Sequence, residues 1–247
     1  MELINIYPIK NLEYYEKQNM NMFLTHLVEE DKAYRDMARD HAGYKILDNS
    51  LIELDGALSM KDVLAAADII EADEVVLPDV FKNGSETIKA TFNALEEHKE
   101  ELKKYKTMAV VHGETVDEWI RTFLIFSARP DIDVLGIPKV MHEQFTSHGF
   151  PGRARILNKV ITLTDKEIHL LGLWENFDEL VYYHHHPDKI RSVDTSLPSL
   201  LEINHKTIFD SRSDCETQTI DLVNDIITNE GMTEGARKYV NGIATIL

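Results

Sequence analysis

Short apolar runs alternate with helical segments along this chain, and this alternation limits the fold more than any other feature. Eight runs have the length of a strand, and the segments between them carry apolar residues at helical spacing or helix-capping residues. The predicted strands lie within 22–28, 45–50, 74–80, 106–111, 133–138, 167–172, 192–196 and 206–209. Strands that alternate with helices form a parallel sheet.

The length of the chain agrees with one barrel. Its 247 residues are close to the roughly 250 typical of a (β/α)8 barrel. No linker or low-complexity segment divides the sequence. We therefore predict an α/β fold, a single TIM barrel, with one domain spanning 1–247. Residues 1–20 are predicted to form a cap or an edge, and two helices over 216–229 and 233–245 are predicted to close the chain.

The stretch 191–200 places a carboxylate at the predicted end of a strand. Asp194 follows an apolar and β-branched lead-in, and Pro198 comes four residues later. Proline has no N–H to give to a sheet, so the chain must leave the sheet near Asp194. In an α/β barrel the chemistry is done at this C-terminal rim. Asp194 is therefore the first candidate for catalysis.

Other predicted strands also end in residues suited to a site. These residues are Asp48, Asp79, His112, Gly113, Gly136 and Gly172. In a barrel they would converge with Asp194 on one mouth, although they are far apart in sequence. Carboxylates that face one another are costly without a ligand, which is typical of sites for acid–base or glycosyl chemistry. Any one of these aspartates alone is more often a helix N-cap or a turn residue, so the prediction depends on their joint placement.

Composition narrows the setting of the protein. The single Cys215 excludes an intramolecular disulfide and a multi-cysteine metal site, which fits a reducing compartment. The sequence has no apolar run of transmembrane length, and its first residues lack the pattern of a signal peptide. We therefore expect a soluble, cytoplasmic protein without a membrane partner.

The net charge argues against nonspecific nucleic-acid binding. Acidic residues outnumber basic ones 43 to 26, and the formal charge is -17, whereas nucleic-acid binders depend on basic surfaces for phosphate contacts. Lys139, Arg153, Arg155 and Lys159 gather in one region and could form a local basic patch. A specific contact with a polynucleotide is therefore not excluded.

The histidines do not indicate a metal centre. His184, His185 and His186 are consecutive, and consecutive residues on a helix point in different directions. His169 stands beside leucines on a predicted strand and is interpreted as a core or rim residue. Neither a metal nor a cofactor is expected.

Six segments together resemble one protein family, the tRNA-guanine transglycosylases, which include the queuine and archaeosine enzymes. The similar segments are 46–50, 77–80, 111–113, 135–138, 168–172 and 193–198. Their order and spacing match the family's Asp-Ser/Asn-Gly segment, base-recognising aspartate, Gln-Gly, Gly-Gly, His-Tyr/Leu-Leu/Met-Gly and Asp-x-x-Leu-Pro motifs. The similarity is strongest to shorter, phage-encoded members, including those that put deazaguanines into DNA. The resemblance implies a TIM barrel.

The resemblance also implies roles for individual residues. Asp194 would be the nucleophile that forms a covalent glycosyl–enzyme intermediate, and Asp48 would be the acid–base group. Asp79 would hydrogen-bond the Watson–Crick edge of a purine or deazapurine base. Gly136 and Gly172 would form the floor and wall of the base pocket. His112, Gly113 and Phe81 would also contribute to base binding, with Phe81 a candidate for stacking on the base.

The chain departs from the family in several places. Ser50 stands where the family usually has glycine, and His112 replaces a glutamine that reads the base. The C-terminal zinc subdomain is absent, because Cys215 alone cannot form its metal site. The aromatic residue that sandwiches the base has two candidates, Phe81 and Phe150.

Three functions remain open from the sequence. The first is exchange of a purine base in tRNA or DNA. The second is an N-glycosidase or transferase that acts on a free nucleoside or nucleotide, which the acidic charge and the missing zinc subdomain favour. The third is a catalytically inactive barrel that acts as a binding protein. The sequence does not determine the oligomeric state, and a homodimer is one option.

Overall fold

A computed structural model describes residues 1–54, 56–146, 151–183, 186, 188–228 and 230–246, with the side chains of 243–246 excepted. Its fold is of the α/β class, with an eight-stranded parallel sheet and helices between the strands, as in a (β/α)8 barrel. The fold class predicted from the sequence is confirmed.

The strands follow one another in the sheet in the order β1-β8-β7-β6-β5-β4-β3-β2. Within the described residues their bounds are β1 Glu2–Asn5, β2 Met20–Leu24, β3 Tyr44–Asp48, β4 Glu74–Val76, β5 Lys106–Val110, β6 Val134–Pro138, β7 Glu167–Leu171 and β8 Ile190–Thr195. The middle strands are adjacent in sequence as well as in the sheet, which is the order that successive strand–helix units produce.

Helices connect most of these strands. The α-helices of the described residues are α1 Thr25–Glu30, α2 Lys32–Asp40, α3 Leu51–Leu54, α4 Met60–Ile70, α5 Gly84–Glu97, α6 Lys99–Leu102, α7 Val116–Ser127, α8 Val140–Gln144, α9 Gly152–Val160, α10 Leu197–Ile203 and α11 Gly231–Ile246. Short 3-10 helices span Ile9–Lys17, Ile161–Leu163, Phe177–Tyr183 and Arg212–Asp214.

Residues 1–20, predicted to form a cap or an edge, supply strand β1 and the start of β2, which stand at the two ends of the strand order. β1 pairs in parallel with β8, with Ile4 opposite Asp194 and Asn5 opposite Thr195. Leu3 and Ile4 are buried. The strand has only four residues, which is too short for a period of two to stand out.

The predicted eighth strand at 206–209 and the predicted helix at 216–229 were wrong. Asp210 accepts hydrogen bonds from the backbone and the hydroxyl of Thr207, and Phe209 is 75% exposed. Asp221 accepts backbone N–H groups of Val223 and Asn224 in the same way. These local side-chain bonds stabilise turns in place of a strand or a helix.

Two further elements differ from the prediction in extent. The apolar run 22–28 divides between β2 and the helix α1, which begins at Thr25. The sequence predicts a short helix over 176–187, and the structure has a 3-10 helix there, Phe177–Tyr183. Ser59 stands before alanine and leucine at helical spacing, which predicts the start of a helix, and its Oγ accepts from the Asp62 N–H at the start of α4.

The chain forms two compact units. The first unit comprises Met1–Gln18, Lys139–Ile161 and His169–Leu247, and the second unit comprises Asn19–Pro138 and Thr162–Ile168. The prediction of one domain over 1–247 stays a prediction.

Each unit has its own buried interior. In the second unit, α7 stacks Trp119 on Phe123 with ring centroids 5.5 Å apart, and both side chains are buried. In the first unit, Tyr7 and Tyr15 meet edge to face at 5.4 Å, and both are buried. Within the part of the chain that the structure describes, no helix is both long and apolar enough to span a membrane.

Candidate functional site

The turn after β3 in the second unit carries the predicted acid–base residue. Asp48 ends β3, and its Oδ2 accepts the backbone N–H of Ser50 over 2.7 Å. Ser50 has a φ of 59°, a left-handed conformation that favours glycine. Its Oγ lies 2.9 Å from His26 Nδ1, and Thr25 Oγ1 donates to the Asp48 carbonyl over 2.6 Å. The turn with Asp48 is thereby held against the end of β2.

Asp79, the predicted base-recognition residue, follows β4 and is buried. Its Oδ2 lies 2.7 Å from His112 Nε2, and its Oδ1 accepts from Asn49 Nδ2 over 2.7 Å. The backbone N–H of Lys82 donates to His112 Nδ1 over 3.2 Å, so the network assigns the ring proton to Nε2, which donates to Asp79. The structure thus brings Asp79 and His112 together, with Asn49 as a third member.

Asn49 was missed in the sequence. Besides Asp79, it donates to the Leu77 carbonyl over 3.0 Å and accepts the backbone N–H of Leu51 over 3.0 Å. An asparagine after a strand is an ordinary turn residue, and its contact with Asp79 arises only because β3 pairs with β4. The one available signal was its place next to Asp48.

A cleft in the second unit borders Asp79. Its volume is about 740 Å³, which lies within the ~300–1,000 Å³ of small-molecule sites. The walls come mainly from apolar residues of 51–60 and 78–81. Among the described residues that line the cleft, Asp79 alone carries a charge. Such a cleft suits a largely apolar ligand with a few polar groups on the side that faces Asp79.

Phe81, the predicted stacking residue, borders the same cleft. Its side chain is 45% exposed, and its ring centroid lies 6.0 Å from the ring of His112. The ammonium of Lys82 lies 5.2 Å from the Phe81 ring centroid. The other candidate, Phe150, lies outside the described residues. An exposed ring beside a buried carboxylate can stack on a ligand whose N–H groups face the carboxylate.

Gly113 and Gly136 occupy positions with structural explanations. Gly136 lies inside β6, opposite Val110, whereas the prediction placed it at a strand end. A Cβ on Gly113 would come within 2.5 Å of the backbone nitrogen of Trp119, so the close approach of α7 requires glycine there. Their contact with a base stays a prediction.

Asp194, the predicted nucleophile, lies one residue before the end of β8 in the first unit. Its Oδ1 is 3.0 Å from His169 Nε2 and accepts the backbone N–H of Gly172, directly after β7, over 3.2 Å. No described residue hydrogen-bonds its Oδ2, and 11% of the side chain is exposed. One carboxylate oxygen is therefore anchored, and the other is open to a ligand.

A chain of hydrogen bonds orients His169. Arg191 Nε donates to Ser192 Oγ over 3.2 Å, and Ser192 Oγ lies 2.8 Å from His169 Nδ1. With the hydroxyl donating to Nδ1, the ring proton is assigned to Nε2, which faces Asp194. His169 was interpreted as a core or rim residue, and it is fully buried, but the sequence did not reveal its contact with Asp194.

A buried ion pair in the first unit removes one member of the predicted basic patch. Arg153 Nε lies 2.6 Å from Glu179 Oε1, and both side chains are buried. Burial opposes the charge on Glu179, but the Arg153 guanidinium and the neighbouring His142 together outweigh it and lower the pKa of Glu179 to about 2. Because Arg153 is buried in this ion pair, the prediction that it joins Lys139, Arg155 and Lys159 in a surface patch was wrong.

The histidine run falls mostly outside the described residues, which include neither His184 nor His185. Within the described ranges, no group of three or more His, Cys, Asp or Glu side chains is placed to hold a metal ion. The candidate site residues are the two carboxylate clusters around Asp79 and Asp194.

Comparison with known proteins adds no family assignment. No protein-family model matches the chain, and a search of curated proteins finds no match. The similarity to the transglycosylases therefore rests on the short motifs themselves. The structure adds where these motifs lie: at or near strand ends, with Asp79 and Asp194 each in a hydrogen-bonded cluster.

Proposed function

We propose that this chain is a transglycosylase-like enzyme that exchanges a purine base, guanine or a 7-deazaguanine, at an N-glycosidic bond in tRNA or DNA. The observation that carries the proposal is the carboxylate of Asp194, which is anchored through Oδ1 and open at Oδ2. A carboxylate held in this way near the C-terminal end of a strand suits nucleophilic attack on an anomeric carbon. The motif resemblance supports the same role.

The proposed reaction has two displacements. In the first, Asp194 Oδ2 bonds to the anomeric carbon while the bond from that carbon to the base nitrogen breaks. The electron pair of the broken bond stays on the base, which takes up a proton from Asp48. In the second, the incoming base gives a proton to Asp48, and its nitrogen displaces Asp194 from the carbon. Two inversions retain the configuration of the sugar.

The hydrogen bonds around Asp194 give each displacement a defined geometry. His169 and the Gly172 N–H bind Oδ1 and leave the direction of Oδ2 fixed. The same donors stabilise the carboxylate when it leaves in the second displacement, because they bind the charge that returns to it.

The cleft beside Asp79 is the proposed base subsite. A carboxylate is an acceptor, so it pairs with the N–H donors of a guanine-type edge. Each oxygen of Asp79 keeps a lone pair after its bond with His112 or Asn49. Phe81 offers an exposed ring for stacking.

A second candidate is glycosyl transfer on a free nucleoside or nucleotide. The observation that favours it is the buried Arg153–Glu179 pair, which takes one of four basic residues away from the predicted patch. With a net charge of -17, the chain then offers less attraction for a polyanion. The third option, a binding protein without activity, would retain the cleft but no turnover.

One experiment tests the proposed reaction and its substrate. The protein is incubated with labelled guanine in three separate reactions, which contain tRNA, DNA or a nucleoside as the acceptor. Transfer of the label to each acceptor is measured. Asp194→Asn is expected to abolish transfer and to keep the fold, because the two side chains have the same shape. Asp188, an exposed aspartate of the same unit, provides the matched control, and Asp188→Asn should transfer label as the wild type does.

The outcomes separate the alternatives. Label in tRNA or DNA supports the first candidate, and label in the nucleoside alone supports the second. A covalent adduct on the peptide that contains Asp194, seen by mass spectrometry, would identify the nucleophile. Full transfer by Asp194→Asn would refute the mechanism, and guanine binding without transfer to any acceptor would favour the binding protein.

A further inference from the structure

Arg153 in helix α9 binds more than its ion-pair partner. Its guanidinium donates from Nη1 to the Leu171 carbonyl over 3.3 Å and from Nη2 to the Gly172 carbonyl over 2.8 Å. Its Nε donates to Glu179 over 2.6 Å. Arg153 thus joins a buried carboxylate to the end of strand β7.

Gly172 is the point where this contact reaches Asp194. The residue has a φ of 70°, and a Cβ there would come within 2.7 Å of Lys139 Cδ. Its carbonyl accepts from Arg153, while its N–H donates to Asp194 Oδ1 over 3.2 Å. The orientation of this glycine decides whether its N–H points at the carboxylate.

The chemistry of arginine explains why a charged side chain is buried at position 153. Stability of the fold alone does not explain it, since replacing a buried ion pair by an apolar pair of similar volume often leaves a protein as stable. A guanidinium, however, presents several donors in one rigid plane, so a single side chain can hold a carboxylate and two carbonyls in fixed relation. Glu179, with its pKa lowered by Arg153 despite burial, supplies the countercharge.

We infer that Arg153 is a positioning residue for Asp194 and acts through the Leu171–Gly172 backbone. It does not touch the reacting atoms. It holds Gly172 in its left-handed backbone conformation, so that the Gly172 N–H keeps its hydrogen bond to Asp194 Oδ1. Asp194 Oδ2 then stays directed at the substrate. The catalytic consequence rests on the proposed function, whereas the effect on Gly172 does not.

The test compares Arg153→Lys with Tyr183→Phe. Lysine keeps the positive charge but cannot reach three acceptors at once. The Tyr183 hydroxyl lies 3.2 Å from Glu179 Oε1 and also interacts with Arg153. Its loss therefore disturbs the same buried cluster but leaves the contacts of Arg153 with the two carbonyls. Hydrogen exchange of the Gly172 amide, followed by NMR on ¹⁵N-glycine-labelled protein, reports the contact directly.

We expect Gly172 exchange to be about tenfold faster in Arg153→Lys, the effect of losing one hydrogen bond, and unchanged in Tyr183→Phe. Equal exchange in wild type and Arg153→Lys would overturn the inference. If Arg153→Lys does not fold, Glu179→Gln takes its place. That change removes the countercharge and should also speed Gly172 exchange, and an unchanged rate would again overturn the inference.

An activity arm separates this inference from the proposed function. With a substrate that the wild type exchanges, Arg153→Lys should lower kcat and leave KM unchanged, because the binding groups are untouched. Faster exchange of the Gly172 amide with an unchanged kcat would overturn the claim that Arg153 positions Asp194 for catalysis. If the wild type acts on no substrate but the Gly172 amide exchanges faster in Arg153→Lys, only the proposed function fails.

Discussion

At the scale of single residues, Ser50 keeps a backbone conformation that costs a non-glycine residue roughly 1–2 kcal/mol. Its hydroxyl compensates, because Oγ accepts the His26 backbone N–H over 3.3 Å and lies 2.9 Å from His26 Nδ1. Burial lowers the pKa of His26, against a smaller opposing effect of Glu30, so the ring is neutral and can accept from the hydroxyl. The positive φ also explains why glycine would suit this position.

We predict that Ser50→Ala lowers the free energy of unfolding by about 1–2 kcal/mol, because the strained backbone stays and the buried hydrogen bonds are lost. Ser50→Gly is the matched control. It removes the same hydroxyl but relieves the backbone, so its loss of stability should be smaller. Urea denaturation of the three proteins measures both effects. Equal stability of Ser50→Ala and wild type would show that the hydroxyl contributes nothing.

At the scale of elements, the Arg153–Glu179 pair joins helix α9 to the 3-10 helix Phe177–Tyr183 in the first unit. Tyr183 in the same 3-10 helix adds a hydrogen bond to Glu179. Burial raises the pKa of Tyr183 well above its ordinary value, and the neighbouring Glu179 adds to the rise, so the hydroxyl remains a donor. The two elements are therefore linked by a charge that depends on pH.

This link predicts how stability changes in acid. The pKa of Glu179 falls from its ordinary 4.5 to about 2 in the folded chain, so its contribution is full above pH 4.5 and is lost as the pH falls toward 2. Glu179→Gln should be less stable than wild type at neutral pH, because Arg153 loses its partner. The difference should shrink below pH 4.5 in urea denaturation series. A difference that stays constant down to about pH 3 would contradict the assignment.

At the scale of the whole molecule, net charge bears on which of the two proposed substrate classes the chain could bind. The net charge of -17 repels a polyanion except at a local basic surface. Of the residues predicted for that surface, Arg153 is buried, Lys139 and Arg155 are half-buried, and Lys159 is exposed. Among these four residues, Lys159 is therefore the one whose charge would interact most directly with a nucleic-acid polymer.

We predict that Lys159→Glu raises the KM for tRNA or DNA about three- to tenfold, with a larger effect at low salt. The KM for a free nucleoside should not change, because no phosphate chain contacts this surface. Lys89→Glu, an exposed lysine of the second unit, is the matched control. Steady-state kinetics at two salt concentrations measures the effect. An equal KM for the polymer in wild type and Lys159→Glu would place polymer binding elsewhere.

The sequence by itself determined those features that depend on local chemistry. Alternating apolar runs predicted the fold class, because burial of a parallel strand requires apolar side chains on both faces. Pro198 predicted the end of β8, which the structure places at Thr195. Ser59 predicted the start of α4, because an N-cap hydroxyl accepts a hydrogen bond from an N–H only two or three residues later in the chain. The positions of Asp48, Asp79 and Asp194 at or near strand ends were predicted in the same way, from the apolar runs that precede them.

Only the tertiary structure decided which distant segments meet. The four-residue strand β1 exists because it pairs with β8, while 206–209 forms a turn although its composition favours a strand. His169 and Asn49 acquire their roles from Asp194 and Asp79, whose side chains reach them only when neighbouring strands pair. A pattern along the chain encodes burial and backbone preference, but the partner of a polar group depends on segments far away in sequence.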